Sequence, residues 1–259
     1  RKRRTGRRHV VTVVRGPLLD RSARAAWAEI GDLTGPGAVL VLAPHPDDEA
    51  LGCGGAILKA RAAGHAVAVV VMTDGRRSHP NSATYGPERL AALRRGEAAT
   101  SVAILTGSAD ALIWLGVPDC TLPVDGPEAA ALAERLAGIA DGIGATSVWA
   151  SWRHDPHCDH EATAGIARAL AAARPDLALF SYPIWGRFAA VAPGDLPDPA
   201  DIVRLDTLAQ RPLKAEAVAA HVSQMTGLID DDPDGFTLDP DLQHHFIDAA
   251  EIFIRERTR

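Results

Sequence analysis

The stretch Ala38-Val39-Leu40-Val41-Leu42-Ala43-Pro44-His45-Pro46-Asp47-Asp48-Glu49 decides the reading of this chain. Its first half is a short apolar run with β-branched residues, which reads as a strand. Its second half places an imidazole and three carboxylates on one tight turn directly after that strand. The same arrangement recurs downstream, where the apolar run from Ser147 to Trp152 leads into His154-Asp155-Pro156-His157-Cys158-Asp159-His160. Two half-sites, each at a strand end, imply one metal centre that both supply.

Working outward, short β-rich apolar runs alternate with Ala-rich amphipathic stretches, the pattern of βα units around a parallel sheet. Strands are expected at Ala38–Ala43, Ala66–Thr73, Ala111–Leu115, Ser147–Trp152 and Leu177–Tyr182. Helices are expected near Gly54–Ala63, Pro87–Leu105, Pro127–Ile139 and Glu161–Ala173. The fold class is therefore α/β: a mostly parallel, doubly wound sheet with helices on both faces. In such sheets the ligand site forms at the carboxyl ends of the strands, where strand order reverses. Past Tyr182 the chain becomes proline-rich, reads helical over Thr207–Met225 and turns acidic over Asp230–Asp241, which suggests a C-terminal cap segment. The opening Arg1–Arg8 reads as a solvated, disordered basic segment, with an anion-binding arm as the alternative, and residues 9–259 as a single domain.

Composition narrows the function. With 259 residues, 47% of them hydrophobic, the chain can bury a sizeable core. A net charge of -6 argues against a nucleic-acid partner, whose phosphates favour a basic face. The three cysteines, Cys53, Cys120 and Cys158, are odd in number and widely spaced, which suits a reducing compartment better than a disulfide framework. No Cys-x-x-Cys pair suggests a cysteine zinc site. No run reaches the roughly 18 apolar residues of a membrane span, so a cytoplasmic location is expected.

His45 and Asp48 are three residues apart and can chelate one cation, leaving Asp47 to point elsewhere. A divalent ion with three protein ligands keeps a position open for water and lowers the pKa of that water, and a neighbouring carboxylate can take the proton. Asp47 is placed for that base role. His157 and His160 repeat the spacing, so one can bind the metal while the other faces a substrate carbonyl. Asp159 could orient a histidine. Glu49 either caps backbone amides or hydrogen-bonds the ligands.

These residues resemble a known family. Pro44-His45-Pro46-Asp47-Asp48-Glu49, with Gly52 and Gly54-Gly55 opening a helix and His157-x-Asp159-His160, is similar to the PIG-L/LmbE-like de-N-acetylases, which include deacetylases of the mycothiol and bacillithiol pathways. Weaker similarities run over about residues 36 to 255: Thr73-Asp74-Gly75, Arg94-x-x-Glu97, Leu115-Gly116-x-Pro118-Asp119, Lys214, and His221-x-Ser223-Gln224. The resemblance implies a Rossmann-like fold, a catalytic zinc and hydrolysis of an N-acetyl group on a glucosamine-type sugar. It implies that His45, Asp48 and His160 hold the metal, that Asp47 is the general base, and that His157 stabilises the oxyanion. It places Arg94 and Asp119 where relatives hold substrate hydroxyls or an anionic group. Cys158 departs from the proline usual there; it reads as an inert small residue in preference to a thiol near the metal. Some relatives carry a tyrosine upstream, where this chain has His154-Asp155-Pro156.

Trp185 and Arg187, after the strand ending at Tyr182, are residue types that sugar sites use for ring stacking and for hydroxyl or phosphate contacts. The equal alternative for Trp185 is a buried ring closing the sheet edge. The expected partner is a small-molecule glycoconjugate, and the expected cofactor is Zn2+, with Fe2+ compatible with the same nitrogen and carboxylate donors. A homo-oligomer is compatible with the sequence. Competing readings are an amidase for a larger acyl group or a thiol-conjugate amide, a nucleotide-binding protein using Gly52-x-Gly54-Gly55, and a metal phosphoesterase. The glycine signal lacks the full dinucleotide-binding order and follows acidic residues that repel pyrophosphate. A phosphoesterase metal pair wants more bridging carboxylates.

Overall fold

The computed structural model describes residues 15–257, so the basic segment Arg1–Arg8 lies outside the described residues. In chain order the strands are β1 Ala26–Ala28, β2 Ala38–Ala43, β3 Val67–Thr73, β4 Leu112–Val117, β5 Ala145–Ser151, β6 Ala178–Tyr182, β7 Ile202–Leu205 and β8 Glu251–Arg255. The helices are α1 Pro17–Ser22, α2 Ile30–Thr34, α3 Asp48–Ala62, α4 Pro87–Thr106, α5 Gly126–Ile143, α6 Cys158–Ala173, α7 Arg211–Ala219, α8 Val222–Met225 and α9 Pro240–Asp248.

All eight strands join one sheet in the order β1-β7-β8-β6-β5-β2-β3-β4. The central pairs β6–β5, β5–β2, β2–β3 and β3–β4 are parallel, whereas β8 runs antiparallel to β6 and β7. Every residue of β2 is buried because both faces of the sheet are covered. Val39, Val41 and Ala43 pack with Leu51, Ile57, Val102 and Val218 of α3, α4 and α7. Leu40 and Leu42 face the other way, against Leu136 of α5 and Ile166 and Leu170 of α6. This is the expected α/β fold with helices on both faces.

The topology fixes where a site can form. From β2 the chain moves outward through β3 to β4, then returns to the opposite side of β2 as β5 and β6. The order reverses between β2 and β5, and the crevice at their carboxyl ends is the place where such sheets bind ligands. The two polar clusters follow these two strands. Both helices after them begin earlier than the sequence reading put them, α3 at Asp48 and α6 at Cys158. Acidic residues in a first turn are favoured by the helix dipole, so the polar clusters extend the helices instead of delaying them.

The C-terminal segment does more than cap the sheet, since β7 and β8 extend it. Ile252 and Ile254 face one core cluster and Phe253 the other, a two-residue alternation that is legible in Glu251-Ile-Phe-Ile-Arg. Gly52 and Gly55 also gain a definite role. A Cβ at Gly52 would lie 2.3 Å from the buried Tyr182 ring, and one at Gly55 would lie 2.6 Å from the Thr207 side chain. These glycines let α3 lie against the sheet and its C-terminal extension, which removes the reason to read them as a phosphate cradle. Among the described residues no helix is long and apolar enough to cross a membrane.

Candidate metal centre and active site

The loop from β2 to α3 delivers His45, Asp47 and Asp48. The Asp48 carboxylate accepts the His45 backbone N–H through Oδ2 at 3.0 Å. The same oxygen lies 3.3 Å from His45 Nδ1 and 3.3 Å from His160 Nε2, which arrives from the first turn of α6 after β5. The two half-sites therefore meet. Donors held 2.0–2.1 Å from a tetrahedral ion lie about 3.3 Å from one another, so these separations suit a common cation.

The donor chemistry agrees. His160 is fully buried, and its Nδ1 is hydrogen-bonded to Asp155 Oδ2 at 3.0 Å. With Nδ1–H given to a carboxylate, Nε2 is the nitrogen that can give up its proton and present a lone pair to a cation, and it is a buried atom with no hydrogen-bond partner. Burial opposes a charge on His160, but Asp48 and Asp155 outweigh it and bring its pKa up to about 9. For Asp48, burial is likewise outweighed by the His160 and His45 rings, which hold the carboxyl far below its ordinary value. A site that attracts protons this strongly suits a divalent cation, and two imidazoles with one carboxylate fit zinc or iron(II) with a position left open.

His157 is the N-cap of α6, and its Nδ1 accepts the Asp159 N–H at 3.2 Å. The proton therefore sits on Nε2. Burial and the neighbouring His45 and His160 rings push its pKa below the ordinary value, so the ring stays a neutral N–H donor. Its ring lies 4.5 Å from that of His45. Asp159 holds His45: its Oδ2 is 3.2 Å from His45 Nε2 and accepts the Cys120 N–H at 2.8 Å. Cys120 adopts a left-handed φ of 60° to make that contact, a conformation that costs an ordinary side chain about 1 kcal/mol.

Asp47 is the other positive-φ residue outside glycine among the described residues, at 140°. Backbone strain of this kind concentrates at functional sites. Burial pushes its pKa up to about 6, with Asp48 acting in the same direction and Arg94, His221 and His45 against it. Glu49 accepts the Asp47 N–H at 3.0 Å, the Ser101 hydroxyl at 2.8 Å and a hydrogen bond with His221 at 2.9 Å. It therefore props the backbone of the candidate base.

Arg94 differs from its expectation. It is 3% exposed, and its guanidinium donates to the Pro46 carbonyl at 2.6 Å, Asp47 Oδ2 at 3.2 Å and the Gly75 carbonyl at 3.0 Å. Arg94 lines the pocket, and with both terminal guanidinium nitrogens committed to these partners it positions Asp47. Its helix neighbour Glu97 pairs elsewhere, accepting the backbone N–H and hydroxyl of Ser223, both at 2.7 Å. Arg187 also departs: it is fully buried, donates to the Pro183 carbonyl at 2.8 Å and lies over the Phe246 ring, away from solvent.

A pocket of about 350 Å³ opens above this cluster, with His45, Asp47, Asp48 and His157 inside and Arg77, Trp185 and Phe236 around it. Asp119 lines it too, 3.6 Å from His45 Nε2 through Oδ1 and bonded through Oδ2 to the Arg77 N–H at 3.1 Å. Trp185 meets Phe236 edge to face at 5.9 Å, so it borders the pocket and does not close the sheet edge. The sequence reading missed Phe236 and Asp155. Asp155 is fully buried and also accepts the Ile184 N–H at 2.8 Å and the Gly186 N–H at 2.7 Å. Its signal was available, an acid between a strand end and a proline five residues before a metal-spaced histidine.

Fold and site place the chain among α/β proteins with a candidate metal pocket at the carboxyl edge of a parallel sheet. Within that class it belongs to the PIG-L family, described as GlcNAc-PI de-N-acetylase, which matches residues 40–171, just over half of the chain. No curated protein matches the sequence. Among solved structures, the conserved protein TT1542 from Thermus thermophilus is 27% identical with a TM-score of 0.60, the alignment covering 85% of this chain and 95% of that one. The N,N'-diacetylchitobiose deacetylase from Pyrococcus horikoshii is 24% identical with a TM-score of 0.56, over 71% of this chain and 69% of that one. A 4-carboxy-2-hydroxymuconate hydratase, GalB from Pseudomonas putida KT2440, is 20% identical with a TM-score of 0.58, over 81% and 82%. A hydratase on the same fold means that the fold alone does not fix the reaction, which has to be argued from the site.

Proposed function

We propose that this protein is a metal-dependent hydrolase that removes the N-acetyl group from an N-acetylglucosamine-type glycoconjugate. The observation that carries the proposal is the meeting of His45 Nδ1, Asp48 Oδ2 and His160 Nε2 beside a carboxylate, Asp47, whose pKa is near 6. His45, Asp48 and His160 would hold the ion, zinc or iron(II). When bound it supplies Lewis acidity and a nucleophilic water at neutral pH.

The chain's own groups do the rest. Asp47, fixed by Arg94 and by its own N–H on Glu49, takes the proton of the attacking water. His157 Nε2–H donates to the acetyl oxygen as negative charge develops there. Protonated Asp47 then passes its proton to the departing amine; neutral His157 has no excess proton to give. Asp155 fixes His160 and Asp159 fixes His45, so both act by positioning. Asp119 borders the sugar, and Trp185 with Phe236 offers apolar rings that meet the aglycone.

Purified protein incubated with N-acetylglucosamine, a sugar-lipid, a sugar-thiol precursor and a glycopeptide, and assayed for free amine with and without chelator, tests the reading. Chelator-sensitive amine release from at least one conjugate is expected. Release of a larger acid in place of acetate would favour the broader amidase reading, and no amine from any member would overturn the proposal.

A further inference from the structure

The loops that build the pocket also gather a second donor set at its mouth. Cys120, in the turn after β4, and Cys158, the first residue of α6, stand beside His157. The two thiol sulfurs and one ring nitrogen of His157 all lie within 4.8 Å of one another. Cys158 Sγ is 3.9 Å from His157 Nδ1, and the Cys120 thiol donates to Asp119 Oδ1 at 3.4 Å. Both thiols are exposed, whereas Cys53 is buried. The Cys120 N–H on Asp159 Oδ2 ties the turn to the first turn of α6, so the approach is anchored by backbone.

We propose that Cys120, Cys158 and His157 form a second cation site, adjoining the His45–Asp48–His160 centre through the His157 ring and selective for a soft ion such as zinc or cadmium. Two thiolates and an imidazole are the donor set that soft and borderline ions prefer. The first centre offers no sulfur, so the two sites differ in kind. Binding releases two thiol protons to solvent and forms two metal–sulfur bonds, with no redox step. The Asp119 carboxylate beside the Cys120 sulfur adds negative potential that draws a cation in. On this proposal Cys158 takes the second of the two roles the sequence left open for it, a thiol near a metal. Nothing in the sequence pairs it with Cys120, because only the β4 turn brings the two together.

Occupancy has a consequence. A ring nitrogen that binds the ion at Nδ1 releases the Asp159 N–H that now orients His157, and a cation then stands at the pocket mouth. Excess zinc therefore inhibits. The inhibition rests on the role proposed for His157, whereas the site does not depend on any reaction.

Cobalt(II) added stepwise to the metal-free protein, under a phosphine reductant, separates the two. The first equivalent should give a spectrum without thiolate character, and the second should bring a thiolate-to-cobalt charge-transfer absorption together with protection of Cys120 and Cys158 from alkylation. C120S and C158S should each lose the charge-transfer band and the second equivalent while keeping the first, and should resist inhibition by excess zinc. Absence of a second equivalent, a charge-transfer band that survives both substitutions, or unprotected thiols in the unsubstituted protein would overturn the site. A charge-transfer band without zinc inhibition would keep the site and overturn the role given to His157.

Discussion

Asp155→Asn tests how the site is held, because the carboxylate has three partners and the amide cannot satisfy them all. Oδ1 accepts the Gly186 N–H, and Oδ2 accepts both the Ile184 N–H and the His160 Nδ1–H. An asparagine has one acceptor and one donor end. With its NH2 toward His160 it donates to Nδ1, which moves the ring proton to Nε2, where the metal lone pair is needed, and it opposes the Ile184 N–H. With the NH2 toward Gly186 it leaves that amide unpaired. Each orientation strands a buried donor, a cost of about 1–3 kcal/mol in stability. Loss of a carboxylate behind a ligating histidine typically lowers metal affinity about 10- to 100-fold, or about 1.4 to 2.8 kcal/mol. Competition with a chromophoric chelator measures the affinity, and urea denaturation of the metal-free protein measures the stability. A variant with unchanged metal affinity would refute the argument that Asp155 sets the His160 tautomer.

Three further outcomes follow from the same geometry. Arg94→Lys keeps a charge but loses the fork that reaches Asp47, Pro46 and Gly75, so kcat should fall about tenfold to a hundredfold with KM little changed; a rise in KM alone would return Arg94 to substrate binding. Trp185→Ala should change, by about tenfold, the ratio of kcat/KM for two conjugates that share a sugar and differ in aglycone, and a constant ratio would leave Trp185 a packing residue. His245 is pushed down from 6.5 to about 4, first by burial and then by the Arg187 charge. The unfolded chain therefore binds this proton first, and stability should drain away as pH falls from about 6.5 to about 4. His245→Gln should flatten that part of the stability profile, and an unchanged acid slope in urea titrations would remove His245 as its cause.

The sheet was legible where the physics is local. β2, β3, β5 and β6 are apolar runs because both faces of the sheet are covered, and their ends fall within two residues of the sequence reading. β8 was missed although Ile252, Phe253 and Ile254 alternate, because the reading ended the sheet at Tyr182 and took the rest for a cap. The two polar clusters were found and do meet, since their spacing and strand-end placement are sequence properties. The positioning role of Arg94 was not readable, because the Gly75 and Pro46 carbonyls that set it are delivered only by folding, whereas Asp155 left a signal in the sequence and folding adds the Ile184 and Gly186 amides that fix its carboxylate. Phe236 was hidden in an acidic, turn-rich segment that folding brings to the pocket, where its backbone N–H bonds to the Ser78 carbonyl at 2.7 Å.

The most direct test of the account pairs metal content with turnover in Asp47→Asn. The amide keeps the shape of the side chain but cannot take the proton of the attacking water, and Asp47 is outside the His45–Asp48–His160 donor set. The metal of the His45–Asp48–His160 centre should be retained while the rate of amine release falls on the order of a hundredfold to ten-thousandfold. Near-normal turnover with the metal in place would contradict the account, because Asp47 could then not be the base.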